Sequence, residues 1–366
     1  MKVLMTSDAV GGVWTYAMEL SRALRCRGVS VALATMGPGP SDEQRRQAAE
    51  LGVELYDSGY KLEWMEDPWE DVARAGVWLL GLARKVRPDI IHLNGYSHAA
   101  LEWPAPVLTV AHSCVCSWWR AVKGEPAPAR WDRYRHAVAA GLAAADRVVA
   151  PTYAMLSALR HEHGFESRSE VIWNGRDLRS VAAADKKPVV FSAGRLWDEA
   201  KNIAALDEVA RRLSWPVYLA GDDAAPPRTG SARRLGRMDE SSMTQWMGRA
   251  SIYALPARYE PFGLSVLEAA LSGCALVLGD IPSLRELWDD AAIFVAPEDH
   301  PHLERAINAL IADPTRRHDL AARARERSER FTSERMARSY HELYVRLVCE
   351  RGPGRLPAHS LRRRTA

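Results

Sequence analysis

The run Arg258-Tyr259-Glu260-Pro261-Phe262-Gly263-Leu264-Ser265-Val266-Leu267-Glu268-Ala269-Ala270 holds two carboxylates, with seven residues between them, around a loop that opens a helix. A helix starting near Leu264 presents unbonded backbone N–H groups and the positive end of its dipole to whatever lies before it. That suits a diphosphate. Gly263 lets the backbone come close to a ligand. Glu268, about one turn in, is placed to accept hydrogen bonds from a ribose diol, and Glu260, just outside the helix, to reach a sugar hydroxyl. The same Ser265-x-x-Glu268 spacing is also that of a capping box, which needs no ligand.

A second segment, Gly194-Arg195-Leu196-Trp197-Asp198-Glu199-Ala200-Lys201-Asn202, follows an apolar run and begins another helix. Arg195 and Lys201 can face one crevice across the turn, the guanidinium forking onto phosphate oxygens and the ammonium acting as a point charge. A pair of solvated surface cations is the plainer alternative. Asp8-Ala9-Val10-Gly11-Gly12-Val13-Trp14 is a glycine turn that admits a ligand to backbone amides, but it is not the G-x-G-x-x-G dinucleotide fingerprint. In Thr109-Val110-Ala111-His112-Ser113 a histidine ends a strand, where open α/β sheets place functional groups. His92, inside an apolar strand, reads as structural. Asp222-Asp223 follow a strand end directly and read as loop rather than as a metal pair.

These segments need a scaffold, and the hydrophobic pattern supplies it. Residues 3–5 read as a buried strand. Val13, Tyr16, Ala17, Leu20, Ala23 and Leu24 then mark one helical face, with Gly28 just past its end. Strands follow at 29–34, 90–93, 107–111 and 148–150. After Asn174-Gly175 the alternation restarts, with strands at 189–192, 217–221, 252–255, 275–278 and 292–295 and helices at 202–213, 243–249, 264–271 and 303–311. This is the rhythm of doubly wound parallel sheets. It predicts two α/β units, 1–174 and 175–333. A last helix over 334–348, apolar at Met336, Tyr340, Leu343, Tyr344 and Leu347, can pack on either. Ligands of such sheets bind outside the carboxyl ends of the strands, so two facing units predict one shared cleft.

Of 366 residues, 26% are charged and 47% hydrophobic, the profile of a globular chain. No apolar run approaches the ~20 residues that span a bilayer. The start runs within five residues into Thr6-Ser7-Asp8, too short for a signal-peptide core, so a cytoplasmic location is expected. The five cysteines, Cys26, Cys114, Cys116, Cys274 and Cys349, include no C-x-x-C pair and read as free thiols of a reducing compartment. Cys114 and Cys116, one residue apart, suit neither a disulfide nor a common zinc clip. Net charge is +3, and five arginines (Arg351, Arg355, Arg362, Arg363 and Arg364) follow Glu350 with no acid among them. The rest of the chain is therefore slightly acidic, and no nucleic-acid partner is expected. The 351–366 tail is expected to be disordered, either simply solvated or touching an anionic membrane surface peripherally. Eight of the thirteen tryptophans lie in the first 131 residues. Core packing accounts for most, but aromatic faces also suit sugar rings. Trp14, and Trp118 and Trp119 just after His112, are expected on the side that meets an acceptor.

Taken together, the segments resemble the retaining nucleotide-sugar glycosyltransferases of glycosyltransferase family 4, whose fold is GT-B: α/β, two facing Rossmann-like domains with an interdomain cleft. The resemblance runs over about residues 1–348. It is carried by Glu260 and Glu268 with Pro261-Phe262-Gly263-Leu264, by Gly273-Cys274-Ala275-Leu276-Val277 and residues 282–286, by Gly194-Arg195 with Lys201-Asn202, and by Val171-Ile172-Trp173-Asn174-Gly175 at the junction. Trp173 departs from the family's Pro there, which loosens the hinge. The resemblance implies that Arg195 and Lys201 bind the donor diphosphate and stabilise its departure. Glu268 would hold the ribose. Glu260 and the backbone of Phe262, Gly263, Leu264 and Ser265 would hold the sugar and diphosphate. Arg237 and Met238 would meet the base, and His112 with Gly11 and Gly12 would face the sugar from the first domain. The last helix would pack back on that domain. The implied reaction needs no cofactor and no metal. It keeps the anomeric configuration and uses a UDP-sugar first, a GDP-sugar second, with a glycan, lipid-linked sugar or small-molecule acceptor. The alternatives are another GT-B enzyme such as an epimerase or phosphorylase, or a non-catalytic partner subunit. The seven-residue glutamate spacing argues against the first, and the joint presence of both glutamates and both cations against the second.

Overall fold

A strand covered on both faces by helices must be apolar on both, and Val3, Leu4 and Met5 are fully buried in β1 (Lys2–Asp8). The computed structural model describes residues 1–178, 185–222 and 231–351. After β1 the chain forms α1 (Gly12–Arg25), β2 (Ser30–Met36), α2 (Asp42–Glu50), β3 (Glu54–Asp57), α3 (Trp69–Val86), β4 (Ile90–Leu93), β5 (Val107–Val110), α4 (Val115–Lys123), α5 (Asp132–Ala144), β6 (Arg147–Ala150), α6 (Tyr153–His163) and β7 (Ser169–Val171). The seven strands pair in parallel in the order β3-β2-β1-β4-β5-β6-β7. The winding reverses between β1 and β4, so the turns after those two strands open the crevice of this sheet.

A second sheet follows: β8 (Lys187–Ala193), α7 (Ile203–Ala210), β9 (Val217–Ala220), β10 (Arg233–Gly236), α8 (Glu240–Arg249), β11 (Ala250–Leu255), α9 (Leu264–Leu271), β12 (Ala275–Gly279), α10 (Pro282–Trp288), β13 (Ala292–Val295), α11 (His300–Ala312) and α12 (Pro314–Ser328). Its six strands run parallel in the order β10-β9-β8-β11-β12-β13, with the reversal between β8 and β11. Val190 pairs with Ile252 and Phe191 with Tyr253 at that reversal. The two segments singled out for chemistry therefore leave adjacent strands at the same end of the sheet.

Two units result. One comprises 1–117, 127–175 and the chain from Ser333 onward; the other comprises 118–126 and 176–332. The short stretch 118–126 thus groups with the second unit, not with the 1–174 span read from the sequence. The chain returns to the first unit through α13 (Ser333–Arg351). Its apolar stripe of Met336, Tyr340, Leu343, Tyr344 and Leu347 is buried, worth about 1.5–3 kcal/mol for each aliphatic side chain. Arg22 in α1 donates to Ser333 Oγ at 2.9 Å, and Arg346 pairs with Glu170 at 2.6 Å. Arg351, placed in the tail by sequence, closes this helix and donates to Trp103 O at 3.0 Å. The tail from 352 on, Asp223 of the Asp222-Asp223 pair and residues 179–184 lie outside the described residues. No helix among the described residues is long and apolar enough to cross a membrane.

Candidate functional site

In the second unit, β8 delivers Arg195 and the single 3₁₀ turn Glu199–Lys201, while β11 delivers Glu260 and the start of α9. The two connections are laced together. Arg258 N–H donates to Ala200 O at 2.8 Å, and the buried Asn202 amide donates to Pro256 O at 3.0 Å and Pro297 O at 2.8 Å. Ser283 Oγ donates to Glu260 O at 2.5 Å. On this frame Lys201 Nζ meets Glu260 Oε2 at 2.5 Å, both side chains largely shielded at 16% and 10% exposure. Arg195 projects further into solvent and pairs with Asp198 Oδ2 at 2.8 Å. Burial acts against the Asp198 carboxylate, but the charges of Arg195 and Lys201 and the Ala200 amide hold its pKa below the usual range. Two cations thus stand in one turn, each paired with a carboxylate that an incoming diphosphate can replace as partner.

The helix start carries no capping box. The N-cap of α9 is Gly263, at φ 85°, with no side-chain cap. A side chain on Gly263 would be strained by that φ and would press on Val266 Cγ2 at 3.1 Å. Ser265 instead takes up Tyr253, whose buried hydroxyl lies 2.8 Å from Ser265 Oγ and 3.2 Å from Ala193 O. The amides of Leu264 and Ser265 have no acceptor within the helix, as the first turn of any helix requires. Glu268, 15% exposed, accepts from Arg176 Nε at 2.9 Å, and Arg176 Nη2 also reaches Glu240 Oε1 at 2.6 Å. Sequence reasoning missed Arg176 and Tyr253. The first directly follows Asn174-Gly175 and looks like a linker cation; the second sits in an apolar strand. Arg237 and Met238 follow β10, two strands away from β8, just before α8, which Asp239 caps by accepting from Ser242 N at 2.7 Å. Phe262 is buried and rests edge-on against Phe331. Trp118 falls in the stretch grouped with this unit, where its Nε1 donates to Asp198 Oδ1 at 3.2 Å; its neighbour Trp119 turns its Nε1 toward Glu125 at 3.4 Å.

The first unit holds a separate cluster at the carboxyl ends of β1, β4 and β5. Gly11, in the turn after β1, and Gly12, the first residue of α1, are exposed; in the same turn Asp8 Oδ1 accepts from Val10 N at 2.9 Å. Asn94 anchors the cluster: its Nδ2 donates to Thr6 O at 2.7 Å, so its Oδ1 faces the histidines. His112 Nε2 stands 2.8 Å and His92 Nε2 3.2 Å from that oxygen, while His92 Nδ1 is 2.6 Å from the Tyr344 hydroxyl. An oxygen acceptor requires His112 to carry its proton on Nε2, which leaves Nδ1 free to accept from a hydroxyl. Burial holds both rings down at a pKa of about 3, with the neighbouring His112 adding to the effect on His92. His112 is therefore neutral near pH 7 and offers no charge to a diphosphate. Trp14 does not join this cluster. It is buried against α2, with Nε1 donating to Gln47 Oε1 at 2.8 Å, because the face of α1 that carries it packs inward.

The depressed histidines make acid costly. The unfolded rings titrate at the ordinary value near 6.5 and the folded ones near 3, so their stability is whole above pH 6.5 and drains as pH falls toward 3. Between pH 6 and 5 each ring should contribute about 1 kcal/mol of lost unfolding free energy. Urea melts at the two pH values should show a smaller drop for His92→Gln than for the unaltered protein. Equal drops would contradict the assignment.

Comparison with known proteins fits this architecture. Residues 10–180 match the family described as Glycosyltransferase Family 4, and residues 230–327 match Glycosyl transferases group 1. A glycogen synthase of Mycobacterium tuberculosis is 26% identical over 408 aligned residues, covering 96% of each chain. Among solved structures, sucrose-phosphate synthase from Thermosynechococcus elongatus superposes with a TM-score of 0.80 at 18% identity, covering 96% of this chain and all of the other. HepE of Anabaena, solved with UDP, gives 0.72 at 18% identity over 95% of this chain and all of the other. The fold is GT-B.

Proposed function

The chain belongs to glycosyltransferase family 4, and from that premise we propose that it moves a hexose from a UDP-sugar to a hydroxyl of a saccharide or lipid-linked saccharide, keeping the anomeric configuration. That it is a glycosyltransferase with a nucleotide-sugar donor follows from its relatives. The finer reading rests on one observation, the placement of Arg195 and the Lys201–Glu260 pair beside the uncapped start of α9 at the reversal of the second sheet. As the bond from the anomeric carbon to the β-phosphate oxygen breaks, negative charge gathers on the diphosphate. The guanidinium, the ammonium and the Leu264 and Ser265 amides stabilise it without reorganising. These groups do the work otherwise done by a divalent metal, so the rate should not depend on added Mg²⁺ or Mn²⁺. Glu260, on losing Lys201 to the phosphate, turns to a sugar hydroxyl. Glu268, steadied by Arg176, accepts from the ribose diol, and Arg237 and Met238 line the base. His112, neutral and with Nδ1 open, accepts from a sugar hydroxyl. Trp118 and Trp119 border the acceptor. UDP is favoured over GDP by family frequency and by the UDP that HepE holds.

The test is incubation with UDP- and GDP-sugars and a panel of saccharide acceptors, reading the anomeric proton of the product by NMR. An α-linked product from an α-linked UDP donor is expected. A β-linked product would overturn retention, and turnover with GDP-sugars alone would overturn the base.

A further inference from the structure

Among the described residues, one group of His, Cys, Asp or Glu side chains stands close enough to hold a metal ion, and it lies outside the transfer machinery. The Sγ atoms of Cys114 and Cys116 and a ring nitrogen of His163 all fall within 4.8 Å of one another. Cys114 Sγ is 3.2 Å from His163 Nε2. The cysteines sit at the start of α4 and are 1% and 0% exposed; the histidine is the last residue of α6, 47 positions on from Cys116. No spacing rule links that histidine to the cysteines, and the sequence accordingly shows no clip.

We propose that Cys114, Cys116 and His163 bind one Zn²⁺ ion as a clasp between the start of α4 and the end of α6. Two thiolates and an imidazole are a soft donor set that selects zinc over the hard cations that carboxylate and carbonyl sites take. Zinc bonds of about 2.3 Å to sulfur and 2.0–2.1 Å to nitrogen set ligand atoms roughly 3.3–3.8 Å apart. The Cys114–His163 separation is already at that spacing, and the wider separations need to close by no more than about 1–1.5 Å. A disulfide is the weaker alternative, because a bridge closing a loop of one residue cannot reach its preferred geometry without backbone movement. Three protein ligands leave the fourth position to a solvent oxygen. The clasp would pin the connection after β5, two residues beyond His112, and so hold the His112 ring against Asn94.

The test uses the full chain, reduced and stripped of metal, titrated with Co²⁺ and then Zn²⁺. One equivalent of Co²⁺ should produce thiolate charge-transfer absorption and the intense visible bands of a tetrahedral site, and Zn²⁺ should bleach both. Cys114→Ser, Cys116→Ser and His163→Gln should each weaken Co²⁺ binding at least tenfold. Cys274→Ser, which removes a buried thiol elsewhere, should leave it unchanged. Absence of the cobalt bands in the reduced wild-type protein overturns the proposal without recourse to any variant. So does loss of the bands on Cys274→Ser alone, or a two-hydrogen mass loss with no metal uptake. If the ligand variants fail to fold, the wild-type melting temperature decides: it should rise with Zn²⁺ and fall back on chelation, and no change would overturn the clasp.

Discussion

Arg195→Ala should lower kcat/KM for sugar transfer by about 10²–10³, the loss expected when one donor to a developing oxyanion is removed, with little change in melting temperature. Arg195 is half exposed, and Asp198, though only 5% exposed, keeps the Ala200 amide and the Trp118 indole as donors when the guanidinium is removed. Lys201→Ala should lose a similar factor in rate and also destabilise the fold, because it leaves Glu260 with an unpaired charge in a shielded place. The double variant Lys201→Ala/Glu260→Gln separates the two effects. It should regain most of the stability, since no charge is stranded, and none of the activity. Steady-state kinetics and urea melts on the four proteins check this. Near-normal kcat/KM in Arg195→Ala, or recovery of turnover in the double variant, would show that these cations do not carry the departing charge.

Gly221→Ala should cost about 3 kcal/mol of stability and at least tenfold in kcat/KM, although residue 221 touches no ligand in the account above. Gly221 directly follows β9 with φ 144°, and a Cβ there would stand 1.7 Å from Gly194 O, a backbone atom with no side chain to move aside. The collision is resolved only by shifting the end of β8, and Arg195 is the next residue along. Overpacking and backbone strain each cost a few kcal/mol in such settings. Gly81→Ala is the control, because Gly81 lies exposed in α3 with nothing near its Cβ. That change should stabilise by about 0.5–1 kcal/mol through helix propensity. Urea midpoints and initial rates for both variants decide the matter, and equal effects at the two glycines would refute the close-approach argument.

The sheet interiors were legible because central parallel strands must be apolar on both faces. Residues 90–93, 217–220 and 275–279 announce themselves in this way. Of the edge strands, Ala292–Val295 is still apolar enough to be read, and the other three are not. Glu54–Asp57, Ser169–Val171 and Arg233–Gly236 each lie at or beside open water on one side, so their side chains are mixed and half exposed and carry no apolar run. At the site, the residue types and spacings around Glu260, Glu268, Arg195 and Lys201 were visible, since both segments are local. The Ser265-x-x-Glu268 box was a false signal: a glycine caps the helix, and Ser265 serves Tyr253 instead. The partners that pin the site, namely Asn94 on His112, Arg176 on Glu268 and Tyr253 on Ser265, are 18, 92 and 12 positions away from what they hold. Pairings of that kind are created by strand order, and only the folded sheet displays them. Trp14, expected on the acceptor side, is buried with its indole donating to Gln47, a pairing that the sequence does not display.

The most direct test of the account is calorimetric titration of UDP and of uridine into the wild-type protein and Arg195→Ala. If the β8 and β11 connections hold a diphosphate, UDP should bind one to one, uridine at least a hundredfold more weakly, and Arg195→Ala should lose most of the difference between them. Equal affinity for UDP and uridine, or an unaltered UDP affinity in Arg195→Ala, would contradict it.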